Sequence, residues 1–369
     1  MPTALPPRRR LLAAGMLWPL QRSLAHSAPA ASAGPAARAA APAPAITGRV
    51  WRVGRGQALA RIADAVRQAA DGDTILIQAG TYRGDVGVIH QRRLRLVGLG
   101  MGASPGPLRP RLEAAGQHAE GKAMWVVRDG DIQIENLDFD GARVPDGNGA
   151  AIRLERGQLT LRACGFSNHQ TCLLTSDQAD ARLSLDRCQF SQAPANPDRL
   201  PHLVYVGRIA RLQMQGCQLR QGLDGHLLKS RARQTVLHDN LIDDGPQGQA
   251  SYEIDLPEGG DAWIEGNTVV QAPGTRNAVM LAYGAEGGHW PVNRLVLRRN
   301  TFINRLPAGG WFVRVWADRL PGTATVLSQG NRYLGTGSLL LGPDGHSVGD
   351  QRGPAPPAAP ARGQISSER

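Results

Sequence analysis

Aromatic residues are scarce in this chain, 5% in all, which argues against a stacking platform for single-stranded nucleic acid. Only four cysteines occur in 369 residues and none forms a CxxC pair, so the spacing excludes a zinc site of the usual kind. The apolar run at residues 11–20 falls short of the ~20 residues a membrane span needs, and no later segment is long and apolar enough to cross. Acidic residues are the minority among the charged ones, 31 against 42 Lys and Arg, for a net charge of +11. That excess points to an anionic partner such as an acidic polysaccharide, a nucleic acid or a membrane surface. Glycine and proline, at 45 and 26 residues, are abundant and imply many tight turns.

Residues 1–27 read as an export signal, because Arg8, Arg9 and Arg10 precede the apolar run and Ser23-Leu24-Ala25 supplies small residues for cleavage. The Arg9-Arg10-Leu11-Leu12 stretch resembles a twin-arginine signal, which predicts a periplasmic or secreted protein. Loss of Arg8, Arg9, Arg10 and Arg22 with the signal lowers the charge from +11 to +7, still basic. Residues 28–48, almost all Ala, Pro, Ser and Gly, cannot bury enough apolar area to offset chain entropy and read as a linker. Residues 343–369 read as a disordered tail, leaving 49–342 as the folded domain.

Within that domain three runs alternate apolar and polar residues at strand periodicity: HLVYVG from His202, GHLLKSRARQT from Gly225 and SYEIDLP from Ser251. Val204, Val206, Leu228, Ser230 and Ile254 then face inward, and Tyr205, Lys229, Arg231, Glu253 and Asp255 outward. Tyr205 to Lys229 and Lys229 to Glu253 are both 24 residues, the period of a stacked coil. A wider alignment gives one column with Leu137, Cys164, Cys188, Cys217, Asn240, Asn267 and Asn300, and Asn331 one residue out of step. Two positions later stand Phe139, Phe166, Phe190, Leu219, Ile242, Val269, Phe302 and Tyr333. In-register Asn side chains hydrogen-bond along such a stack, and Cys fits the same slot as a small buried residue. Three of the four cysteines are therefore expected to pack as free buried thiols, with Cys172 on a neighbouring strand, although a stacked pair can oxidise where geometry allows.

Residues 57–70 carry Leu59, Ile62, Ala63, Val66 and Ala70 at helical spacing, an amphipathic helix placed to cover the open end of the first coil. This helix followed by DGDTILIQAGTYRG resembles the start of the right-handed parallel β-helix proteins of the pectate-lyase-like superfamily. The expected fold is accordingly all-β, a single-stranded right-handed parallel β-helix with an N-terminal capping α-helix.

Equivalent positions on successive coils lie about 4.8 Å apart. Lys229 is then expected beside Tyr205 on one side and Glu253 or Asp255 on the other, with Arg231 adjacent and His202 stacked on His226 in the next turn. Tyr283, Glu286, Arg314 and Trp316 extend the same outward face, and loops at 192–200 and 305–310 border it.

The resemblance implies action on an acidic, uronate-containing polysaccharide, most simply as a lyase working by β-elimination. That reaction needs the substrate carboxylate neutralised, by Lys229 and Arg231 or by a calcium ion held by Glu253 and Asp255. It also needs a proton carrier, for which His202, His226 and Tyr205 are the candidates, since acidic neighbours keep Lys229 charged. The family's second basic residue one coil beyond Lys229 is missing, as is the paired-Asp run of hydrolytic polygalacturonases. A glycoside hydrolase using Glu253 and Asp255, or a non-catalytic glycan-binding or cell-surface module, remain alternatives. Nucleic-acid binding is disfavoured by export and by the absence of any recognition motif.

Overall fold

A computed structural model of the chain describes residues 48–100, 109–191 and 200–357. The expected signal, the linker except Gly48, the 192–200 loop except Leu200 and the end of the tail lie outside the described residues.

Short β-branched and leucine-rich runs, bounded by turns, line up into three parallel sheets. The first has 12 strands from Val50–Val53 to Gly345–Val348, the second 11 from Thr81–Arg83 to Gln351–Gly353, and the third 10 from Gly87–Ile89 to Ser338–Leu340. One coil passes through all three in turn, as in Gln158–Arg162, Gly165–Ser167 and Thr171–Thr175. Each strand pairs with the equivalent strand of the coil before and the coil after, so the chain is an all-β, right-handed parallel β-helix. Among the described residues no helix is long and apolar enough to cross a membrane.

Alternation builds the core. In Arg182–Asp186, Leu183 and Leu185 are buried while their neighbours reach solvent. The aromatic column stacks as expected: Phe139 on Phe166 at 5.2 Å between ring centroids and Phe166 on Phe190 at 4.8 Å, with nearly parallel rings in both cases. The asparagine column forms a one-way ladder. Asn240 donates its backbone N–H to Asn267 Oδ1 at 2.9 Å, Asn267 does the same to Asn300, and Asn300 to Asn331. Asn331 is thus in step with its column, because Leu295 pairs with Val326 and not with Thr325, on which the sequence alignment began. Asp350 Oδ1 ends the ladder by accepting the Asn331 N–H at 2.7 Å. Towards the other end sulfur takes over from the amide, with Cys217 Sγ accepting the Cys188 N–H at 3.4 Å. All four cysteines are buried and free.

Two boundaries differ from expectation. The helix spans only Ile62–Gln68, because the Asp85 carboxylate caps it there, accepting the Ile62 and Ala63 N–H groups at 2.6 and 2.9 Å. It still buries Ile62, Ala63, Ala65 and Val66 over the first coil. At the other end the fold runs past residue 342, with strands at Gly345–Val348 and Gln351–Gly353 in place of the start of a disordered tail. Ser328, Asn331 and Ser347 all bond to Asp350, which gives this polar segment its anchor.

Candidate functional site

The third sheet presents the outward residues of interest. Its ladder pairs Tyr205 with Lys229, Lys229 with Asp255, Asp255 with Ala282 and Ala282 with Arg314. The partner of Lys229 is therefore Asp255, 26 residues on, and not Glu253.

The cause is a double inward step at or just before the start of these three strands. Leu203 with Val204, Leu227 with Leu228 and Glu253 with Ile254 are consecutive pairs that both turn inward. Glu253 therefore lies in the core, fully buried, where Gln271 Nε2 donates to its Oε2 at 3.2 Å. Burial, aided by repulsion from Asp244, pushes its carboxyl well above the usual range. Tyr283 is also inward, since Leu281 faces the core and Ala282 faces out, and its hydroxyl donates to the Gly260 carbonyl. Neither residue can touch a substrate on this face. With Glu253 and Asp255 on opposite sides of their strand, they cannot hold one calcium ion or serve as a glycosidase pair. Among the described residues no group of three or more His, Cys, Asp or Glu is placed to hold a metal.

Glu253 Oε1 and Gln271 Oε1 both lie buried without a hydrogen bond. Glu253→Gln supplies a permanent donor and removes the cost of burying an ionisable carboxyl, and is expected to stabilise the protein by about 1–2 kcal/mol near pH 7. The folded carboxyl has a raised pKa, so wild type loses stability as pH rises from the unfolded value of about 4.3 through the folded one. Urea unfolding across that range should show the variant's advantage growing with pH; an advantage independent of pH would contradict the buried-carboxylate account.

The remaining residues converge. Lys229 Nζ lies 2.9 Å from Asp255 Oδ2 and 2.6 Å from Glu286 Oε1. Arg231 Nη2 reaches Glu286 Oε2 at 2.6 Å, its Nη1 reaches Glu258 Oε1 at 2.6 Å, and its Nε donates to Tyr205 Oη at 3.1 Å. Arg208 completes the network through Glu258, at 2.6 and 2.8 Å. Burial opposes the charge on Lys229, but Asp255 and Glu286 outweigh it and lift its pKa above that of an ordinary lysine. Burial likewise raises the Asp255 carboxyl, and His226 and Lys229 outweigh it, leaving it below the usual range. Glu286 is held low in the same way by Lys229 and Arg231.

The rings form a stack in the adjoining turn: His202 and His226 at 4.7 Å, then His226 and Tyr252 at 4.9 Å. His202 Nδ1 accepts the His226 backbone N–H at 3.1 Å, and burial holds its pKa well below the ordinary value, so it is a neutral ring whose proton sits on Nε2. His226 Nδ1 faces Asp255 Oδ2 at 3.2 Å without the alignment of a hydrogen bond. Arg314 stands apart from the network, its guanidinium 4.6 Å from the Trp316 ring, with no carboxylate in ion-pair range among the described residues.

Arg208, Glu258 and Tyr252 were not singled out from sequence. A signal existed: Arg208 and Glu258 follow Tyr205 and Asp255 by three residues, and Tyr252 precedes Asp255 by three, as His226 precedes Lys229. Taking Asp255 rather than Glu253 as the coil equivalent exposes all three.

No family model matches the chain, and no curated protein does. Among solved structures, ORF18 of Geobacillus virus E2 aligns with a TM-score of 0.43 and 13% identity, covering 76% of this chain and 52% of the viral one. This chain thus spans about half of that protein's length. The A-module of the mannuronan C-5 epimerase AlgE6 of Azotobacter vinelandii aligns with a TM-score of 0.34 and 13% identity, covering 80% of this chain and 93% of that one.

Proposed function

We propose that the chain is an exported β-helix enzyme that cleaves a uronate-containing polysaccharide by β-elimination on the outer face of the third sheet. One observation carries the reading: Lys229 and Arg231 already hold a carboxylate between them, that of Glu286, with both cationic nitrogens at 2.6 Å. Glu286 is half exposed, on a loop flanked by Gly284 and Gly287, and a substrate carboxylate fits the same two cations once that side chain moves aside.

With its carboxylate neutralised, the sugar's adjacent C–H becomes acidic enough for a protein base. His226 takes that proton on the nitrogen remote from Asp255. The electron pair forms the C=C bond, the glycosidic C–O bond breaks, and the Tyr205 hydroxyl protonates the departing oxygen. Arg231 supports this role, since it donates to the phenolic oxygen and leaves the phenol's own proton free. His202 serves to position His226 and does not act as the base, because its Nδ1 lone pair is already engaged. The Arg9-Arg10 leader supports passage to the periplasm or the exterior.

A second reading, a non-catalytic glycan-binding module, is favoured by the mutual pairing of Lys229, Arg231, Asp255, Glu258 and Glu286. Incubation of the mature protein with a panel of polyuronates, with and without calcium, separates the two. An enzyme raises ultraviolet absorbance as unsaturated ends accumulate, whereas a module binds without that rise. Glu286→Gln weakens the internal competitor and is expected to tighten polyuronate binding about 10-fold in either case. Failure of both turnover and binding would remove the reading.

A further inference from the structure

On the coil corner where the third sheet passes into the first, a cavity of about 270 Å³ is lined by Arg182, Arg211, Arg233, Asp261, Trp290 and Val292, among others. Its charges are not balanced. Arg182 and Arg211 stand directly opposite each other in the first-sheet ladder, where like charges repel at one strand spacing. The next rung is the neutral Gln234, and only then comes Asp261. Both Asp261 oxygens are committed elsewhere, to Arg294 Nε and Nη2 at 2.8 and 3.0 Å, with Gln234 adding a third bond.

Among the described residues no carboxylate lies in ion-pair range of Arg182, Arg211 or Arg233, in contrast to Arg95, Arg208 and Arg231, and to Arg294 further along the same column. The side-chain partner of Arg211 is a neutral amide, Gln213 Oε1 at 3.2 Å, and its Nε is buried with no acceptor at all. Burial and the charge of Arg182 press on the Arg211 cation and outweigh the opposing pull of the more distant Asp261. Three guanidinium groups on one cavity, none with a carboxylate in ion-pair range, form a site suited to an anion. The lining also has apolar members: Pro291, Trp290 and Val292, which is 60% exposed. An arginine cluster with apolar lining fits an acid group carried on a ring that has a C–H face.

We propose that this corner cavity is a second carboxylate subsite, taking a uronate unit of the same polysaccharide that engages Lys229 and Arg231. The assignment of a uronate rests on the function proposed above; the anion site itself does not. The two sites are mechanically joined, because Arg231 and Arg233 are two residues apart and the Trp290 indole donates to the Arg231 carbonyl at 3.0 Å. A chain bent around the coil corner therefore meets Arg231 and then Arg233 and Arg211.

The test is calorimetric titration of the full chain with a uronate oligomer, a neutral oligosaccharide of equal length and inorganic sulfate. Arg211→Gln and Arg182→Gln are each expected to weaken oligouronate binding about 5-fold or more, and to do so equally in wild type and in a Lys229→Ala background. Arg182 is exposed, so its variant tests the charge without disturbing packing, and unchanged thermal midpoints establish that both variants fold. Wild-type oligouronate affinity in both arginine variants would overturn the proposal. So would sulfate or the neutral oligosaccharide binding as tightly as the uronate oligomer, since either would remove the carboxylate assignment. Loss of binding in the arginine variants with no turnover by wild type would sink the lyase reading and leave the subsite standing.

Discussion

Lys229→Ala is expected to lower the release of unsaturated ends by at least about 100-fold, the scale of loss when one fixed charge facing a developing anion is removed. Lys229 contributes through position as well as charge. It lies nearly buried between Asp255 and Glu286, so its ammonium is held where a flexible surface lysine would wander. The same substitution strips Asp255, itself 1% exposed, of the ammonium that pairs with it and leaves it beside the His226 ring. Because the Asp255 carboxyl has a folded pKa below its unfolded value of about 3.9, it contributes stability that is present above that pH and lost as pH falls through the folded value. The stability deficit of the variant should thus be full at neutral pH and shrink in acid. Initial rates by ultraviolet absorbance, paired with urea unfolding at two pH values, check both halves. Wild-type rates in a folded Lys229→Ala protein would remove Lys229 from the chemistry.

Asn267→Ala should be among the most damaging single changes to the scaffold, about 3 kcal/mol. The Asn267 side chain makes five hydrogen bonds: it accepts from the Asn240 N–H and Asn240 Nδ2 and donates to Leu237 O, Glu265 O and Asn300 Oδ1. Alanine leaves the Asn240 N–H and Nδ2 donors without their acceptor in a site where water does not reach, since Asn240 and Asn267 are 3% and 1% exposed. Asn267→Cys offers a calibrated comparison, because the column already uses a thiol as acceptor at Cys217. It should cost less than alanine. Equal losses in the two variants, measured by urea unfolding, would show that cavity volume and not hydrogen bonding sets the penalty.

The periodic part of the molecule was readable from the chain, and the aperiodic part was not. Inward and outward phases at Val204, Tyr205, Leu228 and Lys229 follow from alternation, and the Phe and Asn columns follow from the recurrence. Equal spacing failed at Glu253, because a loop of different length precedes that strand and the double inward step at its start puts two successive residues inside. Tyr283 went astray through phase alone, one residue beyond outward Ala282. Arg208 and Glu258 sit in turns after strands, where no two-residue period operates and only the offset from a ladder residue can locate them.

The ladder that ends on Asp350 has a direction, and direction bears on how such a chain can change length. Every amide along it is oriented alike, so their dipoles add, and the terminal carboxylate sits where the exposed donor of the last coil would otherwise face solvent. Duplicating an internal coil would preserve each link, because every Asn both receives from the rung before it and gives to the rung after. Cutting the chain before residue 350 would instead leave a dangling N–H at Asn331 and release the final turn. Evolution can therefore extend this spiral from within, while its stop signal must travel intact at the C-terminal end.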